Sequence, residues 1–146
     1  MSSLKSKTGE QIRLTSFKAR AEVTGMGFSC LLSQSFENLS DNTVECRYEI
    51  NLAQTSSTAA TVNGLTARVS DGRTIIAEVQ EKRSAERRYD DAVASGHGAF
   101  LLEKTEDNTF GISIGSLPPR GSVTLKVFFV GDVDLESTAD GLSCSI

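Results

Sequence analysis

Apolar and polar residues alternate with a period of two through most of this chain, and that pattern restricts the fold more than composition does. The cleanest run is Val123, Leu125, Val127 and Phe129, with Thr124, Lys126 and Phe128 between them. Successive side chains of a strand point to opposite faces, so this spacing predicts a half-buried strand. The same signature predicts a strand over residues 12–23, with Phe17, Ala19, Ala21 and Val23 on one face and Ser16, Lys18 and Arg20 on the other. It predicts another through Phe28, Cys30, Leu32 and Phe36, and a return strand over residues 43–52 with Val44, Cys46, Tyr48 and Ile50 turned one way. Later strands are expected over residues 61–70, 73–79 and 99–104, through Phe110, Ile112 and Ile114, and at a C-terminal edge near residues 142–146.

Turn chemistry separates these runs. Gly25-Met26-Gly27 permits a tight reversal, and the Asn, Ser and Asp side chains of residues 38–42 can bond their own backbone. Asp71-Gly72 is a short hairpin signal. Pro118-Pro119 breaks the chain, because two successive prolines fix φ and supply no donors. Residues 53–60 are small and polar and read as a surface loop, and residues 1–11 as a flexible lead-in.

One stretch departs from the period of two. Between Glu78 and Leu102, Ala85, Tyr89, Ala92 and Val93 fall on one face of a 3.6-residue helix, and Gly96 stands where a left-handed C-terminal cap is needed. The expectation is one amphipathic helix over about residues 80–95, inserted among eight or nine short strands. Strands at regular spacing favour a mainly β, antiparallel β-sandwich over a wound α/β sheet, which needs several crossover helices. The 146 residues suffice for one domain that buries roughly 70% of its unfolded surface. Residues 12–146 are therefore expected to form a single domain, and a chain stopping inside a strand-like segment suggests one excised from something longer.

Charge narrows the function classes. Fifteen Lys and Arg stand against nineteen Asp and Glu, a net charge of −4 with a pI near 5.0. That balance argues against a general nucleic-acid binder and against docking on anionic lipid. No apolar run approaches the ~20 residues that cross a bilayer, and the N-terminus lacks an apolar secretory core. Cys30, Cys46 and Cys144 are widely spaced, and His97 is the one imidazole, so no zinc-ligand pattern is present. The expectation is buried, reduced cysteines in a cytoplasmic protein, with Cys30 and Cys46 inward on neighbouring strands and a disulfide between them left open. Asn38-Leu39-Ser40 matches a glycosylation triplet, which carries weight only in a secreted chain.

Several blocks in order carry a family resemblance. They are Gln34-Ser35-Phe36-Glu37-Asn38; then Glu81-Lys82, Ala85, Tyr89, Ala92 and Gly96; then Gly98-Ala99-Phe100-Leu101-Leu102; and last Phe110 to Ile114 running into Gly115-Ser116-Leu117-Pro118-Pro119. Together they resemble the VIT domain, named for vault protein and inter-α-trypsin. Within it the chain looks most like the domains of the von Willebrand A domain-containing protein 5A group and of vault poly(ADP-ribose) polymerase, which carry a similar segment to Gly96-His97-Gly98. Ile50-Asn51-Leu52 departs from the family's aromatic followed by Pro-Leu. The resemblance implies a non-catalytic interaction or scaffolding module that precedes a von Willebrand type A domain in a larger protein. Ala85, Tyr89, Ala92, Gly96, Phe110, Pro118 and Pro119 are then its structural signature.

Chemistry read from the residues agrees. Asp90-Asp91 are adjacent on a predicted helix and diverge by about 100°, so they cannot share a proton. No G-x-S-x-G and no phosphate loop is present, and no cofactor motif appears. The helix charges pair mostly as a solvated face, leaving Arg83, Arg87 and Arg88 as the candidate contact for an acidic protein partner, either the chain's own A domain or another protein. The competing expectation is a small-ligand or carbohydrate-binding sandwich that uses the loops at residues 53–60 and 115–121.

Overall fold

The structure, a computed structural model, describes residues 2–52, 60–78, 103–104, 109–138 and 141–145; for residues 78, 103–104, 134–138 and 141–145 it describes the backbone alone. Among these residues there are eleven strands: β1 (Ser2–Ser6), β2 (Ile12–Thr24), β3 (Gly27–Asn38), β4 (Val44–Asn51), β5 (Thr61–Val69), β6 (Thr74–Glu78), β7 (Glu103–Lys104), β8 (Thr109–Leu117), β9 (Ser122–Asp132), β10 (Asp134–Thr138) and β11 (Gly141–Ser145). They form a four-stranded sheet in the order β1-β4-β8-β7, a five-stranded sheet in the order β2-β3-β9-β5-β6, and the pair β10-β11. Every pairing is antiparallel. The mainly β, antiparallel expectation holds. The helix expected over residues 80–95 lies outside the described residues.

The period-two residues of β3, β4, β8 and β9 do what their spacing predicts, whereas β2 forms as a strand but leaves Phe17 and Val23 exposed, because the core does not extend over this edge. Phe28, Cys30, Leu32 and Phe36 of β3 and Val123, Leu125, Val127 and Phe129 of β9 are buried. They share one core with Val44, Cys46, Tyr48 and Ile50 of β4 and Phe110, Ile112 and Ile114 of β8. The two larger sheets therefore turn their apolar faces into one interior, which accounts for the alternating exposure along each of these strands.

Local chemistry sets the turns. Thr24 faces Gly27 across the β2–β3 reversal, and Gly25 takes a φ of 62° at the first central position, the glycine place of a type II′ turn. The Asp71-Gly72 turn joins β5 to β6 as expected; Gly72 N donates to Val69 O at 3.0 Å, and the Asp71 carboxylate accepts from Arg73 N at 3.0 Å. In β8, Gly115 takes a φ of 74° where the register against β4 slips between Ser113 and Gly115. This bulge advances the alternation by one residue, so Leu117 turns inward although it lies three positions after the inward Ile114.

Two sequence expectations are corrected. Residues 1–11 are not simply a lead-in: β1 pairs with β4 from Ser2↔Ile50 to Ser6↔Cys46, and Leu4 is buried. A polar segment with one apolar residue can still be a strand when a neighbour offers a full backbone edge. Cys30 and Cys46 face inward on opposite sheets rather than neighbouring strands, and both thiols are free. The edge strand expected near residues 142–146 is present as β11, paired with β10.

Candidate functional site

The two connections that pass between the larger sheets at residues 38–42 and 118–121 are fastened to each other. Asn38 ends β3 with its side chain fully buried; its Nδ2 donates to Asn42 O at 2.8 Å and Pro118 O at 2.9 Å, with a longer contact of 3.4 Å to Leu117 O. Its Oδ1 accepts from Ser40 N at 2.9 Å and Ser40 Oγ at 2.8 Å, an Asx turn. Asn38 N donates to Gly121 O at 2.9 Å and Arg120 N to Ser40 O at 3.2 Å. The amide of Asn38 is thus committed within the protein, and the triplet at residues 38–40 offers no exposed asparagine for a glycan.

Pro118 and Pro119 build the second half of this corner. Gly121 N donates back to Pro118 O at 2.9 Å, with Pro119 at the second position and Arg120 at the third with a φ of 53°, the pattern of a type II turn. The Arg120 guanidinium donates to Asp41 at 2.8 Å, which lowers the Asp41 pKa and raises that of Arg120. In the loop at residues 115–121, weighed above as a ligand site, Pro118, Arg120 and Gly121 are engaged in these turn and corner hydrogen bonds.

The interior holds three groups with chemistry of their own. The Tyr48 hydroxyl donates to Gln34 Oε1 at 2.7 Å, and burial pushes its pKa up to about 12. Burial, then the Glu45 and Glu10 charges, raise the Cys46 thiol to about 11, and burial raises that of Cys30. All three groups are neutral near pH 7, the shifts carrying them further from ionisation, and a protonated thiol is a poor nucleophile. Among the described residues no three His, Cys, Asp or Glu side chains gather as a metal site.

The surface has two features that position interactions. At the β2–β3 reversal an open cleft of about 470 Å³ is lined by polar Glu22, Thr24, Ser29, Thr61 and Asp132, together with Val130. On the outward face of the five-stranded sheet, Leu31 lies opposite Phe128, and both are exposed, as is Val130. Arg20 flanks Leu31 from β2, and Lys126 lies one step along from Phe128 on that face. Sequence reasoning missed this patch, because Leu31, Phe128 and Val130 break the alternation at its outward positions; that break was the available signal.

Of the residues singled out from sequence, Phe110, Pro118 and Pro119 are described: Phe110 lies in the core and the prolines in the corner turn. Arg83, Arg87, Arg88, Ala85, Tyr89, Ala92, Gly96 and His97 lie outside the described residues. Among the described residues no helix is long and apolar enough to cross a membrane.

Two antiparallel sheets around one core, joined at a corner of Asn38 and Pro118-Pro119, define an all-antiparallel β-domain among the described residues. The chain belongs to the VIT family, the vault protein inter-alpha-trypsin domain, whose model matches residues 14–129. It is 34% identical over 124 residues to a von Willebrand factor A domain-containing protein of Dictyostelium discoideum, covering 85% of this chain and 13% of that protein. It is 28% identical over 134 residues to protein mono-ADP-ribosyltransferase PARP4 of Mus musculus, covering 92% of this chain and 7% of that protein. With von Willebrand factor A domain-containing protein 5A of Rattus norvegicus it shares 36% identity over 69 residues, 46% of this chain and 8% of that protein. The chain thus spans about an eighth or less of the length of these relatives.

Proposed function

We propose that this chain is a non-catalytic protein-interaction and scaffolding module, a β-sandwich that works beside a von Willebrand type A domain in a larger cytoplasmic protein. The observation that carries this reading is the company the module keeps: relatives matched over most of this chain are named for their A domain, and the match occupies a small fraction of each. Buried thiols and a buried phenol held neutral support a packing role for these groups, and free cysteines suit a reducing compartment. The partner is a protein, either the A domain of the same chain or a separate one. The net charge of −4 disfavours nucleic acid and anionic membrane. Arg83, Arg87 and Arg88 remain a proposed contact for that partner.

The test is retention of the A domain of the same full-length protein, or of a distinct cellular protein, on the immobilised chain at physiological salt. Saturable retention of either is expected; loss of both as salt reaches the physiological range sinks the reading. A second reading, binding of a small ligand or carbohydrate, is favoured by the hydroxyl-lined cleft at Thr24, Ser29 and Thr61. A thermal-shift screen with sugars separates the two, because a ligand that binds only the folded state raises Tm by mass action.

A further inference from the structure

β2 runs for thirteen residues at one edge of the five-stranded sheet, and among the described residues the one strand hydrogen-bonded to it is β3. Its register against β3 sets Leu14 opposite Phe36, Phe17 opposite Gln34, Ala19 opposite Leu32, Ala21 opposite Cys30 and Val23 opposite Phe28. Residues paired across a sheet share a face. The β3 members of these pairs are buried, whereas Leu14 is 47% exposed, Phe17 58% and Val23 50%. The apolar face of the sheet therefore continues one strand beyond the core that covers it.

The opposite face of β2 is charged. Lys18, Arg20 and Glu22 project there, and Lys18, Ser33 and Lys126 form one row across β2, β3 and β9. Arg20 pairs with Glu22 at 2.8 Å, while neither Lys18 nor Lys126 has an acidic partner among the described residues. Long edge strands with apolar faces invite pairing with another chain. A second copy of β2 fits poorly in the registers of longest overlap: antiparallel self-pairing centred on residue 18, 19 or 20 sets Lys18 or Arg20 opposite a cation of the copy, and like charges directly opposite destabilise a pair.

We infer that the free edge of β2 docks an extended segment of a partner protein that alternates apolar and acidic side chains. The segment adds as a strand, its backbone pairing with β2. Its apolar side chains continue the face of Leu14, Phe17 and Val23, and its carboxylates lie beside Lys18 and Arg20. This inference rests on the protein-interaction reading and names the surface and the chemistry of the partner.

The probe is a short soluble peptide alternating valine and glutamate, titrated into the chain, with a valine/lysine peptide as the contrast. Binding of the glutamate peptide is expected, weakening on the order of tenfold with the doubly substituted K18E/R20E chain, which then takes the lysine peptide instead. Amide hydrogen exchange should slow in β2 and not in β6. These substitutions are at exposed positions, and an unchanged melting curve verifies the fold. Equal affinity for both peptides, no binding, protection confined to β6, or a dimer with protected β2 amides would each overturn the inference. Retention of a cellular partner that persists in K18E/R20E with β2 unprotected overturns this site and leaves the interaction reading standing; loss of all partners by the unsubstituted chain removes both.

Discussion

The Tyr48 hydroxyl donates to Gln34 Oε1 at 2.7 Å across the interior, joining β4 of the four-stranded sheet to β3 of the five-stranded one. Both side chains are buried, and the Tyr48 ring also meets Phe36 edge-on with centroids 6.4 Å apart. The bond thus fixes the relative position of the two sheets where the ring alone would allow sliding.

Tyr48→Phe keeps that ring contact and strands the Gln34 oxygen. A loss of about 1–3 kcal/mol is expected in urea unfolding, the cost of a buried polar group without its partner. The double variant Tyr48→Phe/Gln34→Leu should lose less than the single one, because no acceptor is then left unpaired. A double-variant loss equal to or above the single one would show that the hydrogen bond is not what Tyr48 contributes.

Asn38→Asp retains the shape of the corner residue and removes its donor. The carboxylate would face the carbonyls of Asn42 and Pro118 that now accept from Nδ2. About 2–4 kcal/mol of destabilisation is expected, greater than for Asn38→Ser, since a buried charge adds its desolvation to the lost bonds. Chemical denaturation of the two variants side by side decides the ranking.

A Cβ added at Gly131 would lie 2.6 Å from the Phe28 ring, which packs edge-on against Phe129 at 6.2 Å. Gly131→Ala should therefore cost about 1–3 kcal/mol by overpacking. Pairing it with Phe28→Leu should recover part of that loss. Additive losses in the double variant would place the cause elsewhere.

Alkali should lower the stability of the protein through its buried thiols and phenol. The folded-state pKa of Cys46 is raised to about 11 from 9.0 and that of Tyr48 to about 12 from 10.0. A raised pKa lends stability that is complete below the ordinary value and is lost as pH climbs through the folded one. Stability measured against pH should be level up to about 9 and decline from there to about 12; Cys46→Ala should make the early part of the decline shallower, the raised Cys30 pKa supplying what remains of it. On the acid side, Lys5 beside Glu49 and the Arg73 backbone N–H at Asp71 hold those carboxyls below their usual range. Their contribution is present above the usual carboxylate range and is lost as pH falls through the lowered values. These sites are exposed, so the acid limb should be shallow and flatten further in high salt.

Much of the fold was legible because strand periodicity is local. The alternation through Val123 and Phe129 and through Phe28 and Phe36 names the inward side chains without reference to any partner. Asp71-Gly72 and Gly25 likewise carry their turn geometry in their own allowed φ. The polar residues of β1 gave no such signal, since that strand exists by pairing with β4. The phase change at Gly115 was equally hidden, because a bulge is defined against the opposite strand. At the candidate surface, Leu31, Phe128 and Val130 were visible as breaks in the pattern, but their meeting on one outward face depends on the β3–β9 register.

The sequence by itself determined which residues of each strand share a face and where the chain reverses, since both follow from steric limits acting over a few neighbouring residues. Only the tertiary structure decided which sheet each strand joins. That choice depends on contacts distant in sequence, such as Asn38 against Pro118 and Tyr48 against Gln34. It placed Cys30 and Cys46 on opposite sheets, and it left the apolar face of β2 beyond the edge of the core.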